Sequence, residues 1–413
     1  MMKINLITAI SLLISSNFIS QTITNYTTAD GLLHNNVNSL DVDASNQVWL
    51  GTQAGVSVFD GSTWTNHTTT TDSGLIDNNI QAIYVTNSGD VWVGTDFGVS
   101  KYSTGVWTSF TSVDGLGNNQ VKCISEDASG NIWFGTNNGA SQFDGTSTWT
   151  SYGTTEGLPF GGVNSIDVHS NGDVWMGTGL SGMYIYDGSA FTSITATDGL
   201  IDNRIREMVI DGSDNKWVAT SEGISVVNSI DDVVAHHTII FTLPAPDTLN
   251  PIEDIEIDSK GNIWAGVYVD YLVTEGGVCA YDGTQWTEYT VANGLVGPVV
   301  RAIAINNNDE VWVATSTGVS LISDPTLDVT ELTMNSNFVA YPNPNSTSKM
   351  HISSDANISI SFVTIYNTQM QLINTQILSN GNNAIDLSNL NSGVYFLNLI
   401  HEQGSETIKI IKQ

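Results

Sequence analysis

The sequence predicts an all-β chain: a seven-bladed β-propeller of four-stranded blades, its last blade closed by an N-terminal strand, followed by a small immunoglobulin-like β-sandwich. Three observations predict it. Tryptophans recur at Trp49, Trp92, Trp133, Trp175, Trp217, Trp264 and Trp312, with gaps of 43, 41, 42, 42, 47 and 48 residues between those positions. A unit of that length cannot bury its own apolar face, so the units must pack on one another. Each unit holds four short runs rich in Val, Ile, Trp, Tyr and Thr, punctuated by Gly, Asn and Asp, with no helical period after the first twenty residues. The seventh unit lacks a fourth run, while the chain start offers an unpaired one. Radial closure would join the two and remove the exposed sheet edges.

In chain order, Met1-Met2-Lys3 and the apolar run Ile4 to Ile14 read as a secretory signal peptide over residues 1–20. The run is too short to span a bilayer, and no Cys follows it for lipid attachment. The propeller is predicted over 21–324. Ile23 to Thr27 is the orphan strand expected to complete blade seven. Blade one then shows the template: Val37 to Asp43, the turn Ala44 to Gln47, Val48 to Thr52, the loop Gln53-Ala54-Gly55, Val56 to Phe59, Asp60-Gly61, and Thr63 to Thr68.

The template returns in every blade. The tryptophan strand reads VWVGT from Val91, IWFGT from Ile132, VWMGT from Val174, KWVAT from Lys216, IWAGV from Ile263 and VWVAT from Val311. A Gly-Leu loop separates blades, as at Asp30-Gly31-Leu32, Asp114-Gly115-Leu116 and Asp198-Gly199-Leu200. Inter-blade core packing accounts for the tryptophans. Turns such as Asp127 to Asn131 and Asp258 to Asn262 resemble calcium loops. Hairpin chemistry explains them without a metal, and His169 and Thr86 break the ligand pattern at the Asp position.

Composition changes after Asp324. Residues 325–337 read as a linker and 338–413 as a separate β-sandwich, with strands expected over Ile358 to Tyr366, Gln371 to Leu378, Gly393 to Ile400 and Glu406 to Lys412. Tyr341-Pro342-Asn343-Pro344 opens this unit, Gly393-Val394-Tyr395-Phe396-Leu397 lies near its end, and Ile408-Lys409-Ile410-Ile411-Lys412-Gln413 closes it. Those three motifs in order resemble the C-terminal sorting domain of the type IX (Por) secretion system of the Bacteroidota. The resemblance implies export through the periplasm, recognition of the tail by the type IX secretion machinery, passage to the outer-membrane surface or the medium, and removal of the tail.

The repeats resemble a second family. Asp114-Gly115-Leu116, then Gly130-Asn131-Ile132-Trp133-Phe134-Gly135-Thr136 and Gly139, is similar to the two-component-regulator propeller repeat. In that family such repeats form periplasmic sensor halves of hybrid histidine kinases that detect glycans. This sequence has no kinase, no DNA-binding segment and no second propeller, so the resemblance implies the ring and ligand binding on one face, and the sensing role does not transfer.

Charge and cysteine usage narrow the partners. The sequence has 42 Asp and Glu against 11 Lys and Arg, a formal net charge of −31. That argues against nucleic acid and anionic membranes, which need basic patches, and suits an extracellular protein. After the signal segment no apolar stretch reaches the length of a transmembrane segment. Cys123 and Cys279 fall on distant blades, too far apart for a disulfide, and are expected as buried free thiols. His236 and His237 adjoin on a strand and so point to opposite faces, a poor metal pair. No metal or other cofactor is expected.

Function should lie where the blades differ. The second position of each innermost strand is always polar and follows an apolar residue: Asn38, Gln81, Lys122, Asn164, Arg206, Glu253 and Arg301. It falls at the channel mouth, on the face carrying the Gly-Leu loops and the loops between second and third strands. The third position is small except at Glu207 and Asp254, a carboxylate pair suited to acid–base work or to pairing with Arg206 and Arg301. Blade six carries a long loop with Tyr268, Asp270 and Tyr271, and Phe97 and Phe160 project from equivalent loops. These residues are candidates for stacking on a sugar or contacting a protein. No nucleophile–base set stands out, and Arg204, Arg206 and Arg301 are the only arginines. The expected function is a secreted or surface-displayed, non-catalytic binding propeller with a glycan or protein ligand. The alternative is an extracellular propeller enzyme, a lyase or glycosidase, acting on polysaccharide.

Overall fold

The computed structural model describes residues 22–241, 250–267, 276–323, 338–343, 347–354, 360–367, 372–378, 384–401 and 404–413. The chain divides into two compact units, Met1–Thr326 and Leu327–Gln413. The predicted signal segment 1–20 and linker 325–337 lie outside the described residues.

The described residues of the first unit form seven four-stranded antiparallel sheets. The innermost strands are Val37–Val42, Ala82–Val85, Val121–Glu126, Val163–Val168, Ile205–Ile210, Ile252–Ile257 and Val300–Ile305. Each touches the next, and the last touches the first, so the ring is closed. Thr22–Tyr26 pairs antiparallel with Gly318–Ser323 and supplies the fourth strand of blade seven. Tyr26 stacks on Trp312 with centroids 5.6 Å apart and meets Phe59 at 5.0 Å, so the seam between blades seven and one is an aromatic contact.

The repeated residues hold this frame. Six of the seven tryptophans are buried between blades and Trp217 is half-buried. The turn aspartate six residues earlier accepts the indole N–H: Asp127 from Trp133 at 3.0 Å, Asp211 from Trp217 at 3.2 Å and Asp258 from Trp264 at 3.2 Å. The same Asp127 carboxylate accepts the Ser129 and Asn131 backbone N–H groups, so N–H donors occupy its lone pairs. Where His169 or Asn306 replaces the aspartate, the Trp175 and Trp312 Nε1 atoms are buried without an acceptor. Burying ~200 Å² per indole at ~25 cal/mol per Å² is on the order of 5 kcal/mol, which outweighs one missing hydrogen bond of about 1 kcal/mol.

The Gly-Leu loops are tied the same way in blade after blade. Gly31 has φ +121°, and a Cβ there would come within 2.6 Å of Trp64. The next leucines, such as Leu32, Leu75 and Leu116, are buried. The serine of each Gly-Val-Ser strand clamps the residue that follows: Ser57 Oγ accepts the Leu33 N–H at 3.0 Å, Ser100 that of Ile76 and Ser320 that of Val296, both at 2.9 Å. Asn35, Asn78, Asn119 and Asn203 accept backbone N–H groups within their own loops. Turn geometry therefore explains those asparagines.

The second unit is a sandwich of two antiparallel sheets. Phe338–Tyr341, Lys349–Ser354 and Ala384–Asp386 form one; Leu372–Ile377, Ile360–Tyr366, Gly393–His401 and Gly404–Lys412, in that spatial order, form the other. Phe338, Met350 and Ile385 pack against Val363, Leu397 and Ile410 in one shared core. The first sheet was not anticipated from sequence, because its strands are short and one has three residues.

Candidate functional site

The innermost strands enclose an axial cavity of about 490 Å³ lined by polar and charged side chains. A β-bulge builds its rim. In six blades the ladder skips the second residue: Val37 pairs with Thr52 and Ser39 with Gly51, leaving Asn38 extra. The same skip occurs at Lys122, Asn164, Arg206, Glu253 and Arg301. A bulged residue leaves the pleat and its side chain is re-aimed, here into the channel. That is why this position can be polar in each of these blades although an apolar, buried residue precedes it. In blade two the strand begins at Ala82, and Gln81 reaches the same rim by donating its N–H to Gly94 O at 2.8 Å. All seven predicted rim residues line the cavity.

Neighbouring rim residues join from blade to blade. Asn38 Nδ2 donates to Ile80 O at 2.8 Å, Lys122 Nζ to Asn164 Oδ1 at 3.0 Å, and Asn164 Nδ2 to Ile205 O at 2.9 Å. Arg206 Nη1 lies 2.6 Å from Glu253 Oε2. Burial raises the Glu253 pKa, and the fields of Arg206 and Arg301 oppose that rise.

One residue deeper, Glu207 and Asp254 also line the cavity. The expected pairing with Arg206 and Arg301 is not what forms, since Arg206 takes Glu253. Asp254 accepts the N–H groups of Ile255 and, from the next blade, Ile303; Glu207 accepts that of Met208. Burial raises the pKa of both, and Asp254 adds repulsion at Glu207; Asp254 is pushed up to about 7 and Glu207 well above the usual range.

Sequence reasoning missed the next layer. Asp41, Asp167 and Glu256, at the fifth strand position, line the same cavity. Burial pushes Asp41 and Asp167 up to about 6 and Glu256 well above the ordinary carboxylate range. The signal was available: residues two apart on a strand share a face, so positions three and five point together. Cys123 also lines the cavity and is half-buried, against the expectation of full burial, while Cys279 is buried; both thiols are free.

The rim opens on the face carrying the loops. The Gln53 N–H of a loop between second and third strands bonds Asn36 O, just ahead of the innermost strand, and Asn137 and Ser221 repeat the bond. Phe97 is 62 % exposed on the loop between second and third strands of blade two. Phe160, 87 % exposed, is not on an equivalent loop as expected but on the connection from Trp149–Tyr152 to the next innermost strand. Leu180, which sequence reasoning passed over, is 78 % exposed. Tyr268, Asp270 and Tyr271 lie outside the described residues. Among the described residues no cluster of three or more His, Cys, Asp or Glu is arranged to hold a metal ion, and no helix is long and apolar enough to cross a membrane.

Comparison with known proteins supports the two-part reading. Residues 339–413 match the secretion system C-terminal sorting domain, and residues 74–97 and 115–138 match the two component regulator propeller. The chain therefore carries propeller repeats of that kind and a type IX sorting tail, which directs it to the cell surface or to secretion. No curated protein sequence matches the chain. Among solved structures it is similar to the extracellular domain assigned to the hybrid two component system BT3049 of B. thetaiotaomicron, at 18% identity and TM-score 0.62, covering 95% of this chain and 57% of that one. It is similar to PorZ, a surface component of the type IX secretion system of Porphyromonas gingivalis, at 18% identity and TM-score 0.59, covering 92% and 60%. The virginiamycin B lyase of Staphylococcus aureus matches at 14% identity and TM-score 0.56, covering 73% of this chain and 98% of the enzyme. The chain thus spans less than two thirds of the first two structures, and at these identities the likeness is one of fold.

Proposed function

We propose that this chain is a non-catalytic binding propeller, displayed on or released from the cell surface, whose channel-mouth face holds a glycan. The observation that carries this reading is the rim, where six bulged residues and Gln81 turn polar side chains into one opening while the rest of the frame is spent on packing. Amide and guanidinium groups match the donors and acceptors of sugar hydroxyls, and exposed Phe97 and Phe160 offer ring faces on the same side for stacking. A protein ligand would use the loops and leave the rim untouched.

The test is binding of the full-length chain to a glycan array, beside a Gln81→Trp variant that fills the mouth. Gln81 makes no side-chain hydrogen bond among the described residues, so the fold should tolerate the change. Glycan binding that Gln81→Trp abolishes supports the reading; no glycan binding, or binding that the variant leaves intact, sinks it.

A second reading, an extracellular propeller enzyme acting on polysaccharide, rests on the carboxyl groups of Glu207 and Asp254, which line the cavity below the rim on adjacent blades. Asp254, pushed up to about 7, suits proton transfer near neutral pH, and burial with repulsion from Asp254 raises Glu207 beside it. A lyase would raise ultraviolet absorbance from new double bonds on uronic-acid polysaccharides, and a glycosidase would release reducing ends. Neither signal over a broad panel leaves the binding reading.

A further inference from the structure

The rim is not electrically even. Asn38, Lys122, Asn164 and Arg206 each reach to the next blade. Among the described residues Gln81 and Arg301 make no such side-chain bond to the next blade. Among the described residues no carboxylate oxygen lies within 4.0 Å of its guanidinium, and its buried Nε has no hydrogen-bond acceptor. Glu253, on the neighbouring blade, feels the field of Arg301 while its carboxylate bonds Arg206.

The arc that follows across the ring closure is Arg301, Asn38, Gln81 and Lys122. It holds two cations and two amides and no rim carboxylate. The whole rim sums to Lys122, Arg206 and Arg301 less Glu253, a formal +2 (three minus one), in a chain of net charge −31. A buried donor left unsatisfied is costly, and planar guanidinium groups match planar oxyanions with two parallel N–H···O bonds. An amide on the next blade can meet the hydroxyl beside such a group.

We propose that this arc is an oxyanion subsite, in which Arg301 holds the carboxylate or sulfate group of an acidic glycan and Asn38 and Gln81 hold its neighbouring hydroxyls. The proposal rests on the reading of the mouth as a glycan site and specifies what the ligand must carry. The carboxyls beneath do not take the place of the ligand, because Glu207 and Asp254 bond backbone N–H groups rather than Arg301.

The experiment titrates the full-length chain with a trigalacturonate, with its methyl ester, which keeps shape and removes charge, and with a sulfated neutral trisaccharide. The expected result is affinity for at least one acidic probe about tenfold above the ester, the size of one charge-assisted contact. Arg301→Gln should erase that preference, bringing the affinities for acid and ester together, and Arg301→Lys should restore part of it. Which acidic probe binds identifies the oxyanion. Rising salt should weaken the acidic probes alone, a check that needs no variant. Equal affinity for acid and ester, or a preference that survives Arg301→Gln, overturns the subsite. A neutral glycan bound at the mouth with no acidic preference overturns the subsite and leaves the glycan site standing; no glycan binding of any kind removes both.

Discussion

The Asp41 carboxylate on blade one accepts the backbone N–H of Val85 on blade two at 2.7 Å. Asp167 does the same for Ile210, from blade four to blade five, at 3.2 Å. Each innermost strand has one edge without a strand partner, and its N–H groups would otherwise be left to the channel water. Short acidic side chains thus stitch adjacent blades along the axis, at the cost of burying charge.

That cost sets a pH dependence. Burial raises the folded pKa of Asp41 and Asp167 to about 6 and of Asp254 to about 7, above the ordinary 3.8. Between about pH 4 and 7 the folded ring keeps protons that the unfolded chain has released. Stability is therefore full below the ordinary pKa and declines as pH rises through that window, by about 3–4 kcal/mol for each such group. Turn aspartates such as Asp187 and Asp282 have lowered pKa values and lose their contribution only below about pH 4. Calorimetry should find Tm higher at pH 5 than at pH 8, with Asp254→Asn flattening the slope. A Tm that falls steadily from pH 8 to pH 5 would contradict this account.

The seam should be the weakest joint of the ring. Tyr26 bridges Trp312, Phe59 and Trp64 across it. Tyr26→Ala should cost about 2–3 kcal/mol, less than a fully buried aromatic because Tyr26 is half-buried. Urea unfolding followed by tryptophan fluorescence measures it. A cost below about 0.5 kcal/mol would place the closure energy in the backbone ladder alone.

Asp127 serves a turn and a core indole together. Asp127→Ala removes the acceptor of the Ser129, Asn131 and Trp133 N–H groups. The expected loss is about 2 kcal/mol by urea unfolding, the scale of a buried donor left unpaired. Trp175 already tolerates that lack, so the variant should fold; an unchanged midpoint would show that the turn is indifferent to the carboxylate.

Gly31 tests the repeat loop. Its φ of +121° is strained for any other residue, and a Cβ would strike the Trp64 ring. Gly31→Ala should cost over about 1 kcal/mol and shift Trp64 fluorescence, whereas Gly61→Ala, with open space around its Cβ position, should cost less at a similar positive φ. Equal costs would mean that backbone strain, rather than the indole, sets the requirement.

Much of the ring was readable from the repeat because its residues do the same job seven times. Gly31, Leu32, Ser57 and Trp49 recur as one template, and each makes a local or nearest-blade contact whose geometry the spacing already implies. The polar rim was readable for the same reason, since Asn38 and its counterparts align in register. Asp41, Asp167 and Glu256 were not singled out, although the alternation that exposes Glu207 points them into the channel. The pairing expected for Glu207 and Asp254 was also not met, because the partner a channel side chain takes on the next blade depends on positions that no spacing carries.

By itself, then, the sequence determined the number of blades, their four-strand pattern, the N-terminal closure and the sorting tail. Period and local turn chemistry act over a few residues and repeat. Only the tertiary structure decided how the rim is wired. A bulge of one residue turns Arg206 and Arg301 into the same opening, yet Arg206 meets Glu253 at 2.6 Å while Arg301 meets no carboxylate within 4.0 Å among the described residues. Both arginines look alike in sequence. Ring closure makes them different, because it sets what stands on the next blade.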